Sequence, residues 1–359
     1  MALPRTRYDL SRAELAEVLD GEPRYRLDQV WDGLYRQAAD VDDLTALPKA
    51  LRERLALAPE LAPALAEARR SVSDDGQTIK WLWRLGDGRN VETVLMHYRD
   101  RSTVCVSSQA GCAMACGFCA TGQAGFDRNL STGEIVEQVV RAIREARPRR
   151  MSNVVFMGMG EPMANYERTW AAVETIPDDL GISARHITVS TVGIVPGIHR
   201  LAGERLPVTL AVSLHAANDT LRDELVPVNR RYPLAAVMDA CRSYTEAKGR
   251  RLTFEWALID GVNDRHSHAG ELARLARPLG AHVNLIPLNP TPGYAVRGSP
   301  AARVTAFRDL LVSLGVNATV RRNRGTDIDA ACGQLALREA GDATVPVALP
   351  RSPAATLPD

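Results

Sequence analysis

The chain has no long apolar run. Nowhere in its 359 residues is there the stretch of about 20 apolar side chains that a membrane-crossing helix requires. It has no charge excess either: 44 basic against 43 acidic side chains leave a net charge of +1, so no global field marks a nucleic-acid binder. Phosphate contacts would have to come from local basic density. The amino terminus, MALPRTRYDLSRAEL, carries charges where a secretion signal would need its apolar centre, so the cytoplasm is the expected compartment. The six cysteines include no second C-x2-C pair at the distance a four-ligand structural zinc site uses. In a reducing compartment, clustered cysteines bind metal or do chemistry more often than they form structural disulfides.

What is present is an ordinary soluble composition, 45% hydrophobic and 24% charged, long enough for one large α/β domain with an attachment. Local basic density occurs at Arg147, Arg149 and Arg150, at Arg230 and Arg231, and at Arg321, Arg322 and Arg324. Each cluster reads equally well as a solvated surface.

The first seventy residues have helical spacing. Ser11 and Glu14 form a capping box ahead of Leu15, Val18 and Leu19; Gly21 and Pro23 end that helix. Leu27, Val30, Trp31 and Leu34 continue at helical spacing, as do Leu47, Leu51 and Leu55 after Pro48. An Ala/Pro-rich linker is expected over 57–68. Then the period changes: Ile79, Trp81 and Trp83 alternate, Gly86 to Gly88 turn, and 91–98 returns as a hairpin feeding a strand over 103–107. From there strand, loop and helix repeat. Strands are expected at 153–157, 186–190, 208–213, 252–258, 282–286 and 317–320, and helices at 132–146, 234–248, 266–279 and 301–314. Such alternation predicts parallel βα units in a partial or complete barrel, with the site at the C-terminal ends of the strands. The expected organisation is a helical N-terminal domain (1–70) in contact with RNA, a linker and β-hairpin (71–100), a core barrel (101–340) and a disordered tail (341–359).

The most specific pattern is C-x3-C-x2-C at Cys112, Cys116 and Cys119, with Phe118 before the last cysteine. Three thiolates in one loop can hold three corners of an iron–sulfur cluster and leave one iron open. Buried thiols or part of a zinc site is the other reading. The loop MGMGEP, ending in Gly160 and Glu161, directly follows an expected strand; its glycines let backbone approach a ligand and its carboxylate can accept from an ammonium group. Ser190, the run Ser213–Leu214–His215, and Asn289 follow later strands. They suit hydrogen bonds to a ribose, carboxylate or base edge, and equally the capping of loops. Cys241 reads as core, whereas Cys332 sits in a glycine-flanked polar stretch that suits a reactive thiol.

The cysteine spacing resembles the signature of radical S-adenosylmethionine (SAM) enzymes. With it, CVSSQAGCAMACGFCATG, MGMGEP, VTLAVSLHA, LVPVNRRY, NLIPLNP and GTDIDAACGQL closely resemble the dual-specificity ribosomal RNA and tRNA adenine carbon-2 methyltransferases. The resemblance covers nearly the whole chain up to Leu337. It implies a partial (β/α)6 TIM-like barrel with an N-terminal helical domain and a β-hairpin extension. It also implies a 4Fe–4S cluster on Cys112, Cys116 and Cys119, and two SAM molecules consumed per turnover. Gly160, Glu161, Ser190, Ser213, Leu214, His215 and Asn289 would hold SAM. Cys332 would carry the methyl group, Cys105 would resolve the protein–RNA intermediate by forming a transient disulfide, and Glu92 would handle a proton. By spacing alone Glu92 is an exposed strand carboxylate. The implied partners are 23S rRNA, tRNA and a flavodoxin- or ferredoxin-type electron donor, with no membrane and a monomeric chain. The related carbon-8 methyltransferase shares the chemistry residues and is the alternative enzyme. A non-catalytic RNA-binding or zinc-dependent regulatory protein is the alternative of another class.

Overall fold

The computed structural model describes residues 5–289, 297–321, 324–330 and 334–335. Three helices come first: α1 (Arg12–Val18), α2 (Tyr25–Tyr35) and α3 (Lys49–Ala56). Ser11 and Glu14 make the expected capping box, the Ser11 side chain accepting from the Glu14 amide. An antiparallel meander follows, β1 (Leu65–Ser73), β2 (Thr78–Leu85) and β3 (Asn90–His97), and β4 (Ser102–Cys105) pairs antiparallel with β3. A small ribbon, β5 (Gln109–Gly111) with β6 (Phe126–Asn129), encloses the one-turn helix α4 (Ala120–Ala124) and leads into α5 (Thr132–Ala146).

The rest alternates strand and helix: β7 (Met151–Phe156), α6 (Tyr166–Asp178), β8 (Ile187–Thr191), α7 (Val195–Gly203), β9 (Thr209–Ser213), α8 (Asp219–Leu225), α9 (Leu234–Lys248), β10 (Thr253–Leu258), α10 (His266–Ala276), β11 (His282–Pro287), α11 (Ala301–Ser313) and β12 (Asn317–Val320). The sheet runs β1-β2-β3-β4-β7-β8-β9-β10-β11-β12. Among the described residues, the seven strands of this sheet from β4 to β12, which exclude β5 and β6, are parallel and joined by six crossovers. This is the expected partial TIM-like barrel, extended at one edge by the antiparallel meander.

Burial explains why these segments order. On α5, Ile135, Val136, Val139, Val140 and Ala142 are all 0–2% exposed and pack into one continuous core. Each larger apolar side chain contributes about 2 kcal/mol on burial, more than any exposed ion pair along the same helix. The N-terminal helices are tied to this layer by polar contacts. Asp9 accepts from the Gly133 amide at 2.6 Å and from Ser131 Oγ at 3.1 Å, capping α5, and Trp31 Nε1 donates to Asp179 Oδ1 at 2.7 Å.

Two expectations change. β1 takes up part of the expected linker; its side chains are mostly exposed, so its sequence carries no alternation, and main-chain pairing with β2 holds it, with a bulge between Glu67 and Arg69. Glu92 is buried at 4% exposure, because β3 is covered along nearly its whole length. The expected tail, 341–359, lies outside the described residues.

The segment after β12 turns back across the open side of the sheet. Arg324 donates to the His97 carbonyl at 3.0 Å, Gly325 N to Asp74 Oδ2 at 3.2 Å, and Asp327 meets the Ser73 hydroxyl, all on the meander. Farther on, the Leu335 carbonyl accepts from Thr121 Oγ1 at 2.7 Å, on the cysteine loop. Of the basic cluster at 321–324, Arg324 thus serves the fold itself.

Candidate active site

The cysteine loop is held by backbone hydrogen bonds. Cys112 N donates to the Gly125 carbonyl at 2.6 Å, Cys119 N to the Cys116 carbonyl at 3.1 Å, and Gln123 N to the Cys119 carbonyl at 3.0 Å, which starts α4. A Cβ on Gly122 would stand 2.9 Å from the Cys116 carbonyl oxygen, so only glycine lets α4 lie against the loop. Cys112, Cys116 and Cys119 line one wall of a cavity at the C-terminal ends of the parallel strands. Gly160, Glu161, Ser190, Ser213 and His215 line the facing walls.

Glu161 is the electrostatic centre of those walls. It is 2% exposed; its Oε1 accepts from Met163 N at 3.0 Å and its Oε2 from Val192 N at 2.9 Å. Burial pushes its carboxyl up to about 7, and the backbone donors only partly offset that. A buried carboxylate with both oxygens already oriented is ready for a ligand cation. The glycines before it, which line the cavity, also meet a packing demand: a Cβ on Gly158 would lie 2.7 Å from the Val106 carbonyl oxygen, and one on Gly160 (φ +96) 2.5 Å from Gln109 Cβ. They let the loop pack against the chain emerging from β4, and Gln109 Oε1 accepts the Glu161 amide at 2.8 Å.

His215 is a neutral donor. Its Nδ1 accepts from Ala257 N at 3.0 Å, which leaves the ring proton on Nε2. Burial, with the Arg222 charge nearby, lowers its titration to about 3. The ring meets Phe118 edge-on at 4.7 Å, fixing the aromatic residue of the cysteine motif, and its backbone sits at φ +58, a strained conformation for a histidine. Ser190 Oγ donates to the Phe156 carbonyl at 2.6 Å.

Not every expected residue faces this cavity. Leu214 has its side chain in the core; its amide donates to the Glu255 carbonyl at 3.0 Å. Asn289 is buried and is not among the residues lining the cavity. Glu92 lines a second cavity with Lys80, Asp329 and Gln334. Cys105 is buried on β4, opposite Val94 and therefore on the same sheet face as Glu92, two residues along β3. Cys332 lies outside the described residues. The described residues that follow it in the chain divide between the two cavities, Gln334 in the second and Leu335 in the first.

Two residues of the site went unread in the sequence. Arg222, on α8, is fully buried and ties the strand ends together, donating to Val192 O at 2.6 Å, Leu214 O at 3.1 Å and Asn229 Oδ1 at 2.7 Å. Burial lowers its titration to about 10, and Cys116 is the group that most opposes that fall. Glu255, on β10, is a second buried carboxylate on the cavity wall, raised by burial and held by Asn284 Nδ2 at 2.7 Å.

The cysteines fit an iron–sulfur cluster. Burial pushes Cys112 up to about 12, and Cys116 is raised by burial and by the two neighbouring thiols. The Cys112 and Cys116 thiols, raised in this way, keep their protons unless a cationic group draws them off, which cluster irons do. Among the described residues no group of three His, Cys, Asp or Glu is arranged around a single ion. Three thiolates on three separate irons need no such convergence.

Comparison with known proteins agrees. The Radical SAM superfamily model matches residues 106–273. A probable dual-specificity RNA methyltransferase RlmN of Chloroflexus aurantiacus is 53% identical over 352 residues, covering 93% of each chain. The dual-specificity RNA methyltransferase RlmN 1 of Myxococcus xanthus is 51% identical over 335 residues, covering 91% of this chain and 93% of that one. The crystal structure of a radical SAM methyltransferase from Sphaerobacter thermophilus superposes with a TM-score of 0.89 at 54% identity, over 92% of this chain and 99% of that one.

Proposed function

Because the chain belongs to the dual-specificity RNA methyltransferase RlmN family, we propose that it methylates carbon 2 of an adenosine in 23S rRNA and of the adenosine 3′ to the anticodon in tRNA. It is a radical SAM RNA methyltransferase whose cofactors are a 4Fe–4S cluster and SAM. Among the described residues no helix is long and apolar enough to cross a membrane. Work in the cytoplasm as a monomer, fed by a flavodoxin- or ferredoxin-type donor, completes the proposal.

One observation carries the site assignment: Cys112, Cys116 and Cys119 share a cavity with Glu161, Ser190, Ser213 and His215. The three cysteines would hold the cluster. Glu161 would accept from the ammonium of SAM, and the Nε2–H of His215 and the hydroxyls of Ser190 and Ser213 would orient the rest of it. Leu214 could contribute only through its backbone, and Asn289 would act from beside the wall. When bound, cluster and SAM together supply the radical that activates an S-methyl group.

Carbon 2 of adenine is electron-poor, so polar methyl transfer to it is closed, and a covalent carrier divides the work. Cys332 would be that carrier. Glu92 would take the proton from carbon 2 of the protein–RNA adduct, and the adduct's unpaired electron would return to the cluster. The Cys105 thiolate would then attack the sulfur of Cys332: an S–S bond forms, the C–S bond breaks with its electron pair going to carbon, and protonation completes the methyl group. The shared sheet face of Glu92 and Cys105 supports this division.

Anaerobic purification tests the cofactor assignment. A brown protein with about four irons per chain is expected; a colourless protein holding zinc and no iron overturns the reading.

A further inference from the structure

The second cavity contains an ion pair that the proposed chemistry leaves unused. Lys80 Nζ lies 3.0 Å from Glu92 Oε1, with side-chain exposures of 13% and 5%. The same ammonium donates to the Asp329 carbonyl at 3.2 Å, in the turn that leads toward Cys332. Strand register places these groups together. Lys80 stands opposite Val94 and Val94 opposite Cys105, so the three form a row across β2, β3 and β4, with Glu92 diagonal to both ends. All four side chains share one face, since directly opposed residues project to the same side and strand positions alternate.

The residue type fits the position. Lysine is scarce here, with only Lys49, Lys80 and Lys248 among 44 basic residues. A compact ammonium with three donors can serve a carboxylate and a carbonyl in different directions at once. A carboxylate buried without a cation tends to take up a proton and is then no base. Among the described residues, the other charged groups facing this cavity are Arg69 on β1 and Asp327 and Asp329 in the turn; Asp327 meets Ser73.

We infer that Lys80 is a positioning residue, keeping the Glu92 carboxylate ionised and aimed and joining it to the segment that carries Cys332. The inference rests on the reading of Glu92 as the base that acts on the adduct. The proton from carbon 2 goes to a Glu92 oxygen.

The test is a single-turnover reaction of the iron-loaded full chain with substrate RNA, following the protein–RNA crosslink on denaturing gels from pH 6 to 9. Wild type should show little crosslink. Lys80→Met and Lys80→Gln should accumulate it at pH 7, resolving about tenfold more slowly because less of the carboxylate is ionised. Their rates should recover as pH rises, and Lys80→Arg should restore the wild-type pH profile. Iron content and 5′-deoxyadenosine yield should stay unchanged in all three, because Lys80 lies outside the cluster cavity. Resolution at the wild-type rate in both neutral variants overturns the inference. So does a slowing with no pH dependence, or one that Lys80→Arg fails to relieve. Glu92→Gln is the separate control: if it resolves normally, the assignment of Glu92 itself is wrong, whatever the lysine variants do.

Discussion

Glu161→Gln should stabilise the cofactor-free chain at pH 8 while weakening SAM binding. The carboxyl of Glu161 rises from its ordinary 4.5 to about 7 through burial. Its folded form therefore binds a proton more tightly than its unfolded form. Stability is highest below pH 4.5, falls as pH rises toward 7, and is then lower by about 3 kcal/mol. Glutamine removes that penalty. It also loses one acceptor, because a single amide oxygen cannot serve both the Met163 and Val192 amides, at a cost of about 1–2 kcal/mol. The balance is a gain of about 1–2 kcal/mol at pH 8, roughly 2 °C in Tm for a chain of this size, and a loss of similar size at pH 4. Thermal unfolding of iron-free, SAM-free protein at the two pH values measures it. On iron-loaded protein, calorimetry with SAM should show affinity weakened by about tenfold or more, from the missing charge-assisted bond. Equal destabilisation at both pH values would refute the reasoning, because the buried carboxylate would then carry no ionisation penalty.

Gly160→Ala should lower stability by about 3 kcal/mol and Tm by about 4 °C, because its Cβ would meet Gln109 at φ +96; Gly181→Ala, also at positive φ but in open space, should cost about 1 kcal/mol by the same melting assay. Cys112→Ser should lose most of its iron in a colorimetric assay, while Cys241→Ser, altering a core thiol away from the cavity, should keep it. Cys332→Ala should abolish methyl transfer, whereas Cys105→Ala should trap a protein–RNA crosslink visible on denaturing gels; normal turnover by Cys105→Ala would remove its resolving role.

What was legible in the sequence was local. The cysteine loop, MGMGEP, and the serines and histidine at strand ends are short motifs, and a parallel barrel gathers the ends of consecutive strands at one mouth without further information. Contacts made at a distance were hidden. Arg222 binds carbonyls at the ends of two strands, a role that no side-chain pattern encodes. Glu92 alternates on β3 as a surface carboxylate would; its burial comes from elements packed over the sheet, including the segment returning after β12. The start of β1 reads as linker because an exposed edge strand needs no apolar alternation. The partnership of Lys80 with Glu92 depends on hairpin register. Its neighbour Asp329 is more than two hundred residues away in the chain.

The most direct test of the whole account is mass spectrometry of nucleosides from 23S rRNA and tRNA before and after reaction with the iron-loaded enzyme, SAM and a reductant. 2-Methyladenosine is expected in both RNAs. Methyl found at carbon 8, or RNA left unmethylated by fully iron-loaded protein, would contradict it.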